Sequence, residues 1–208
     1  MRNLRVWLVL FCVLASATAA YADDVLDCSK KSLADAVRDA SNKNPVISFT
    51  GICAGPIAIA IDGLTLRGVG TAIIDGGGLD AVTVIGASRV SLIDIDVTNG
   101  VIGILARNGA DVSLTRVNAH DNSSYGISIQ TASSGVLSDV TANSNGRGLG
   151  ADDGVSVWVR NSTLTGNVTK DIQLTFGARA DFQTMVFGTY TCDATVLVRG
   201  TSGITCPH

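Results

Sequence analysis

The chain has 208 residues, 46% hydrophobic and 16% charged, with a formal net charge of −3. This apolar content excludes disorder as the main state, and the weakly acidic balance excludes a basic nucleic-acid-binding face. All 18 acids are Asp, lysine occurs only at Lys30, Lys31, Lys43 and Lys170, and there are 23 Gly, which excludes a helical bundle and suits short strands joined by tight turns.

Along the chain, Arg2 and Arg5 precede an apolar run from Val6 to Ala17, and Ala20-Tyr21-Ala22 stands before Asp23-Asp24. This pattern predicts a secretory signal peptide over residues 1–22. The run is too short to span a bilayer, so no transmembrane segment is expected after cleavage. The protein is expected to be secreted or periplasmic. Residues 23–60 read as an N-terminal cap and first strands. Within them Ser32 to Lys43 predicts an amphipathic helix with Leu33, Val37 and Ala40 on one stripe and Ser32 with Asp35 as a start signal. Pro45 to Phe49 and Ile57 to Ile61 read as strands.

Residues 61–190 repeat. Leu92, Leu114, Leu137, Val159 and Phe182 recur every 22 or 23 residues. So do Ile95, Val117, Val140, Ser162 and Met185, and so do Val97, Ala119, Ala142, Leu164 and Phe187. A further series is Val82, Ile104, Ile127, Leu149 and Ile172. The period predicts a right-handed parallel β-helix of about six coils, three short strands to the coil, with equivalent positions stacked. Asn99, Asn122, Asn145 and Asn167 predict an internal amide ladder at a bend. A leucine-rich repeat has a similar period, but its second half-repeat tends towards helix. Here that half alternates as a strand does, in Gly126-Ile127-Ser128-Ile129 and Asp171-Ile172-Gln173-Leu174.

Residues 191–208 read as a C-terminal cap. Beyond the leader the cysteines are Cys28, Cys53, Cys192 and Cys206. Three pairings are open, and their grouping at the two ends favours Cys28–Cys53 and Cys192–Cys206. No zinc-type spacing occurs, so no metal site is assigned to them.

Gly63-Leu64-Thr65-Leu66-Arg67-Gly68-Val69-Gly70, followed by Ala72-Ile73-Ile74-Asp75-Gly76 and preceded by the lid helix, resembles the opening coils of the pectate-lyase-like β-helix superfamily. The resemblance covers residues 46–190. It implies polysaccharide lyases, polygalacturonases, pectinesterases, alginate epimerases or non-catalytic carbohydrate-binding proteins, because one fold hosts many functions. Of the polygalacturonase motifs only Gly150-Ala151-Asp152-Asp153-Gly154 has a counterpart. There is no Asn-Thr-Asp and no Arg-Ile-Lys, and His120 precedes Asp121 rather than Gly. Pectinesterase signatures and the Asp-Pro-His of epimerases are also missing.

Two rows of charged residues share the period. Asp94, Arg116, Asp139 and Asn161 read as a self-neutralising surface ladder. Arg107, Gln130 and Asp152, with Asp153 beside the last, place a cation, an amide and a carboxylate in line. These four are the candidate ligand-binding residues, with Arg107 paired to a ligand carboxylate. No cofactor is predicted; Asp152 and Asp153 would bind hydroxyls or a Ca²⁺ ion. Trp158, one position before inward Val159, is expected to point outward. Asn122, Asn161 and Asn167 open glycosylation sequons that matter only in a eukaryotic host. The short loops favour a non-catalytic glycan- or surface-binding module with an acidic polysaccharide as partner. The rival reading is a polysaccharide lyase or glycoside hydrolase.

Overall fold

The computed structural model describes residues 24–40, 45–200 and 203–207. The expected leader therefore lies outside the described residues. Val, Ile and Thr alternate with small or polar residues along most segments, so each strand buries one side only. The strands stack into two all-parallel sheets. The longer sheet runs through Leu26–Asp27, Val46–Ala54, Thr65–Asp75, Val90–Thr98, Asp111–His120, Ser134–Ser138 with Thr141–Asn143, Ser156–Leu164, Arg179–Phe187 and Leu197–Gly200. The shorter sheet runs through Ile57–Ile59, Val82–Ile85, Ile102–Arg107, Tyr125–Ile129, Arg147–Ala151, Lys170–Leu174 and Tyr190–Cys192.

The chain passes from one sheet to the other and forms a parallel β-solenoid of about 8 turns. That exceeds the repeat count because the cap segments also pair as rungs: Leu26 sits opposite Phe49, and Arg179 opposite Leu197. From Val90–Thr98 onward the long sheet turns a corner on each coil at one residue in the left-handed region, namely Asp94 (φ 59°), Arg116 (51°), Asp139 (57°), Asn161 (50°) and Thr184 (49°). The corner divides the long sheet into two facets, so the coil has the three sides the period implies.

The repeat series are the core. Leu66, Leu92, Leu114, Leu137, Val159 and Phe182 pair rung to rung, and all are at most 1% exposed. Opposite them Ile57, Val82, Ile104, Ile127, Leu149 and Ile172 form the second column. Each such side chain contributes about 1.5–3 kcal/mol through burial.

The ends are closed differently. The helix is Leu33–Asp39, with Ser32 Oγ accepting from Asp35 N at 3.1 Å and with Leu33 and Val37 buried. It is shorter than expected, because Ala40 is already extended; residues 41–43 of the expected helix lie outside the described residues. It packs on Val46–Ala54 and Ile57–Ile59. Disulfides join Cys28 to Cys53 and Cys192 to Cys206, with Cα–Cα distances of 5.0 and 5.5 Å. Each loop closure contributes roughly 3 kcal/mol by limiting the unfolded chain.

The amide ladder is present but begins one coil later than expected, at Asn122. Asn122 Nδ2 donates to Asn145 Oδ1 (2.9 Å), and Asn145 Nδ2 donates to Asn167 Oδ1 (3.1 Å). Asn99 is not a member. It is exposed, in the left-handed region at φ 57°, and donates to Asp75 Oδ1 at 2.8 Å. Gly100 takes the ladder position instead, its N–H donating to Asn122 Oδ1 at 2.9 Å. The ladder needs open space on the next strand: a Cβ on Gly103, Gly126 or Gly148 would stand 2.7–2.8 Å from a ladder Nδ2.

Register aligns Asp171 with those three glycines. Its carboxylate ends the column. Oδ1 accepts from Asn167 Nδ2 at 2.8 Å, and Oδ2 accepts from the N–H of Gly188 (3.0 Å) and Thr189 (2.7 Å). Burial would raise this carboxyl's pKa, but the hydrogen bonds outweigh it and hold the group below the ordinary 3.8.

Candidate functional site

The outer face of the short sheet carries the predicted row. Ile85 and Arg107 are cross-strand partners, and the next residues in register are Gln130 and Asp152. The three stand at the ends of successive strands, on rungs about 4.8 Å apart. The backbone confirms the alignment: Gln130 N donates to Ala106 O at 2.8 Å, and Asp152 N to Ile129 O at 3.1 Å. Asp153 lies in the following turn, at φ 64° before Gly154 at φ 74°. That turn exposes Asp153 while Asp152 stays half-buried on the sheet.

Within the row the side chains do not bond one another. Arg107 is exposed and, among the described residues, forms no ion pair. Gln130 Nε2 donates to Ser128 Oγ at 2.9 Å. Burial, then the neighbouring Asp153 charge, pushes the Asp152 carboxyl above its ordinary 3.8. The row thus offers an unpaired cation, an amide and a half-buried carboxyl in line. Among the described residues no three His, Cys or Asp side chains converge as a metal cage requires; Asp152 and Asp153 would be two carboxylates of an open site.

Two features border the row. At the starts of the same strands the Arg147 guanidinium lies 5.2 Å from the Tyr125 ring centroid, and a Cβ on Gly150 would touch that ring, at 2.5 Å. The Tyr125 ring therefore covers Gly150, and Gly150 and Ser128 are both buried. One rung beyond Asp153, Phe176 stands 70% exposed. Its N–H donates to Asp193 Oδ2 at 2.8 Å and its carbonyl accepts from Gly154 N at 2.9 Å. Sequence reasoning missed Phe176, although Thr175-Phe176 continues Asp152-Asp153 at the same spacing.

The other expectations divide. Arg116 holds Asp94 through two bonds, Nε to Oδ1 at 2.6 Å and Nη2 to Oδ2 at 2.8 Å, so that pair is a surface ion pair. Trp158 points outward and is 49% exposed. His120 Nδ1 lies 2.7 Å from Asp121 Oδ2 at the edge of the ladder corner, away from the row.

Fold and face together define a right-handed parallel β-helix with an exposed polar row on one sheet. A family description, "Right handed beta helix region", matches residues 48–187, and the chain belongs to that family. No curated protein sequence matches it. Among solved structures, a pectin methylesterase mutant in complex with a hexasaccharide is similar at a TM-score of 0.40 and 12% identity, over 85% of this chain and 80% of that one. So distant a likeness carries no argument about chemistry.

Proposed function

We propose that the protein is an exported, non-catalytic β-helix that holds an acidic polysaccharide against the short sheet. Arg107 would grip a uronate carboxylate, Gln130 and Asp152 would bond hydroxyls, and Phe176 would supply an apolar edge for a sugar ring. Asp153 would bind a hydroxyl or, with Asp152, a Ca²⁺ ion bridging to the ligand. The observation that carries this reading is the unpaired Arg107 in strand register with Gln130 and Asp152. The two disulfides support an oxidising destination.

Binding of oligogalacturonate, measured by calorimetry with and without Ca²⁺, tests the proposal. Arg107→Ala is expected to weaken it by about 1.5–3 kcal/mol while leaving the melting temperature nearly unchanged. Unaltered affinity in that variant would overturn the assignment. A second reading, a carbohydrate-active enzyme, is favoured by one observation, the raised pKa of Asp152. Unsaturated products or new reducing ends from uronate polymers, abolished by Asp152→Asn, would establish it in place of simple binding.

A further inference from the structure

A second surface lies on another side of the prism, on the facet of the long sheet that precedes its corner. Trp158 is its centre. Its cross-strand partners are Val136 on the rung before and Asp181 on the rung after, and Asp181 pairs in turn with Arg199. Alternation along the strands brings Arg160 to the same face beside Trp158, and Arg179 beside Asp181.

Two hollows flank the indole. One, of about 210 Å³, is lined by Trp158, Arg179, Asp181, Leu197 and Arg199 among others. The other, of about 330 Å³, is lined by Val136, Trp158, Arg160, Asp181 and Gln183. The indole is a ridge between them, and Asp181 belongs to both.

The charge on this facet runs against that of the molecule. Arg160, Arg179 and Arg199 face one acid, Asp181, in a chain whose net charge is −3. Among the described residues none of the three guanidiniums is in an ion pair. Arg160 is instead tethered by its Nε to Ser138 Oγ at 2.8 Å, and Asp181 Oδ1 accepts from Gln183 Nε2 at 3.3 Å. Arg160 shares the strand of Trp158, and the strands of Arg179 and Arg199 follow one and two rungs on, with about 4.8 Å between rungs. A ring-shaped occupant with an apolar face suits the Trp, and carboxylates on either side suit the guanidiniums.

We propose that this facet is a second binding surface for an acidic oligosaccharide, with one sugar ring stacked on Trp158 and the carboxylates of its neighbours held by Arg160 and by Arg179 with Arg199. It rests on the reading of the protein as a binder of acidic glycans, but it uses no residue of the Arg107 row. Two such surfaces on one rigid prism would let a single molecule cross-link polymer chains, with a gain through multivalency.

The chain has one other tryptophan, Trp7, so emission from Trp158 reports on the facet, with Trp158→Phe as the baseline. Titration with oligogalacturonate is expected to give a saturable emission change that raised salt weakens and that neutral xylo-oligosaccharides of equal length do not produce. Arg160→Ala and Arg199→Ala should each weaken that response at least fivefold without lowering the melting temperature, whereas Arg107→Ala leaves it intact. Arg107-dependent binding in calorimetry with no emission change would overturn the second surface and keep the first. An emission response indifferent to Arg107→Ala, with no Arg107-dependent binding, would keep the second and overturn the first. An equal response to neutral sugars overturns the charge argument, and an emission change that follows protein concentration alone reassigns the facet to self-association.

Discussion

Two corners of the same coil carry polar residues at the same period, and they do opposite things. At one, Asn122 and Asn145 are at most 1% exposed and are bonded above and below. At the other, Asp94, Arg116, Asp139 and Asn161 turn the chain in the left-handed region and stand in water. A buried amide that loses its partner cannot replace it with water, whereas an exposed guanidinium can. The periodicity is therefore the same, while the energies differ by several-fold.

The comparison breaks most sharply at Asn145. Its Oδ1 accepts from Asn122 N (3.0 Å) and Nδ2 (2.9 Å), and its Nδ2 donates to Ala119 O (2.9 Å) and Asn167 Oδ1 (3.1 Å). Asn145→Ala strands groups on the coils to either side at once. Denaturant unfolding should show a loss of about 3 kcal/mol or more; a loss under half of that would mean the ladder is dispensable.

Next comes the end of the ladder. In Asp171→Asn either the donors of Gly188 and Thr189 or those of Asn167 would face an NH₂ group, at a cost of about 1.5–3 kcal/mol near neutral pH. The sign of the pH dependence follows from the lowered folded pKa. The carboxylate's contribution is present above its unfolded pKa and is lost as pH falls through the folded one. The wild type should thus lose stability steeply below about pH 4, and the variant should lose less over the same window. Parallel profiles would show that Asp171 is not the group titrating.

At the exposed corner Arg116→Ala should cost less than about 1 kcal/mol, and the cost should fade in high salt. A double-mutant cycle with Asp94→Ala isolates the pair, and a coupling above that value would erase the contrast between the corners. The smallest effect concerns the sequons. Asn122 and Asn167 are held in the ladder, while Asn161 is exposed. Folded protein secreted from a eukaryotic host should carry a glycan at Asn161 alone, with stability changed by at most about 0.5 kcal/mol. Peptide mapping that finds sugar on Asn122 would show that the ladder is not formed.

The 22–23-residue spacing determined the solenoid, its inward columns and the order of Arg107, Gln130 and Asp152, because stacking turns equal spacing in sequence into adjacency in space. The grouping of cysteines at the two ends likewise pointed to the observed disulfides. Spacing failed where the chain departs from the period. Asn99 comes five residues after its corner, at Asp94, where Asn122, Asn145 and Asn167 each come six after theirs, so a correct interval led to the wrong register. Asp171 meets Gly188 and Thr189 at separations of 17 and 18, outside any repeat, and only the closing coil brings them together.

Side-chain neighbourhood was decided at the same level. Arg160, Arg179 and Arg199 are unremarkable in sequence, and they surround Trp158 only because three rungs share one facet. Whether a polar column is a buried ladder or a wet surface row depends on which side of the backbone it leaves. The left-handed residues at each bend set that side, and nothing in the interval between repeats records it.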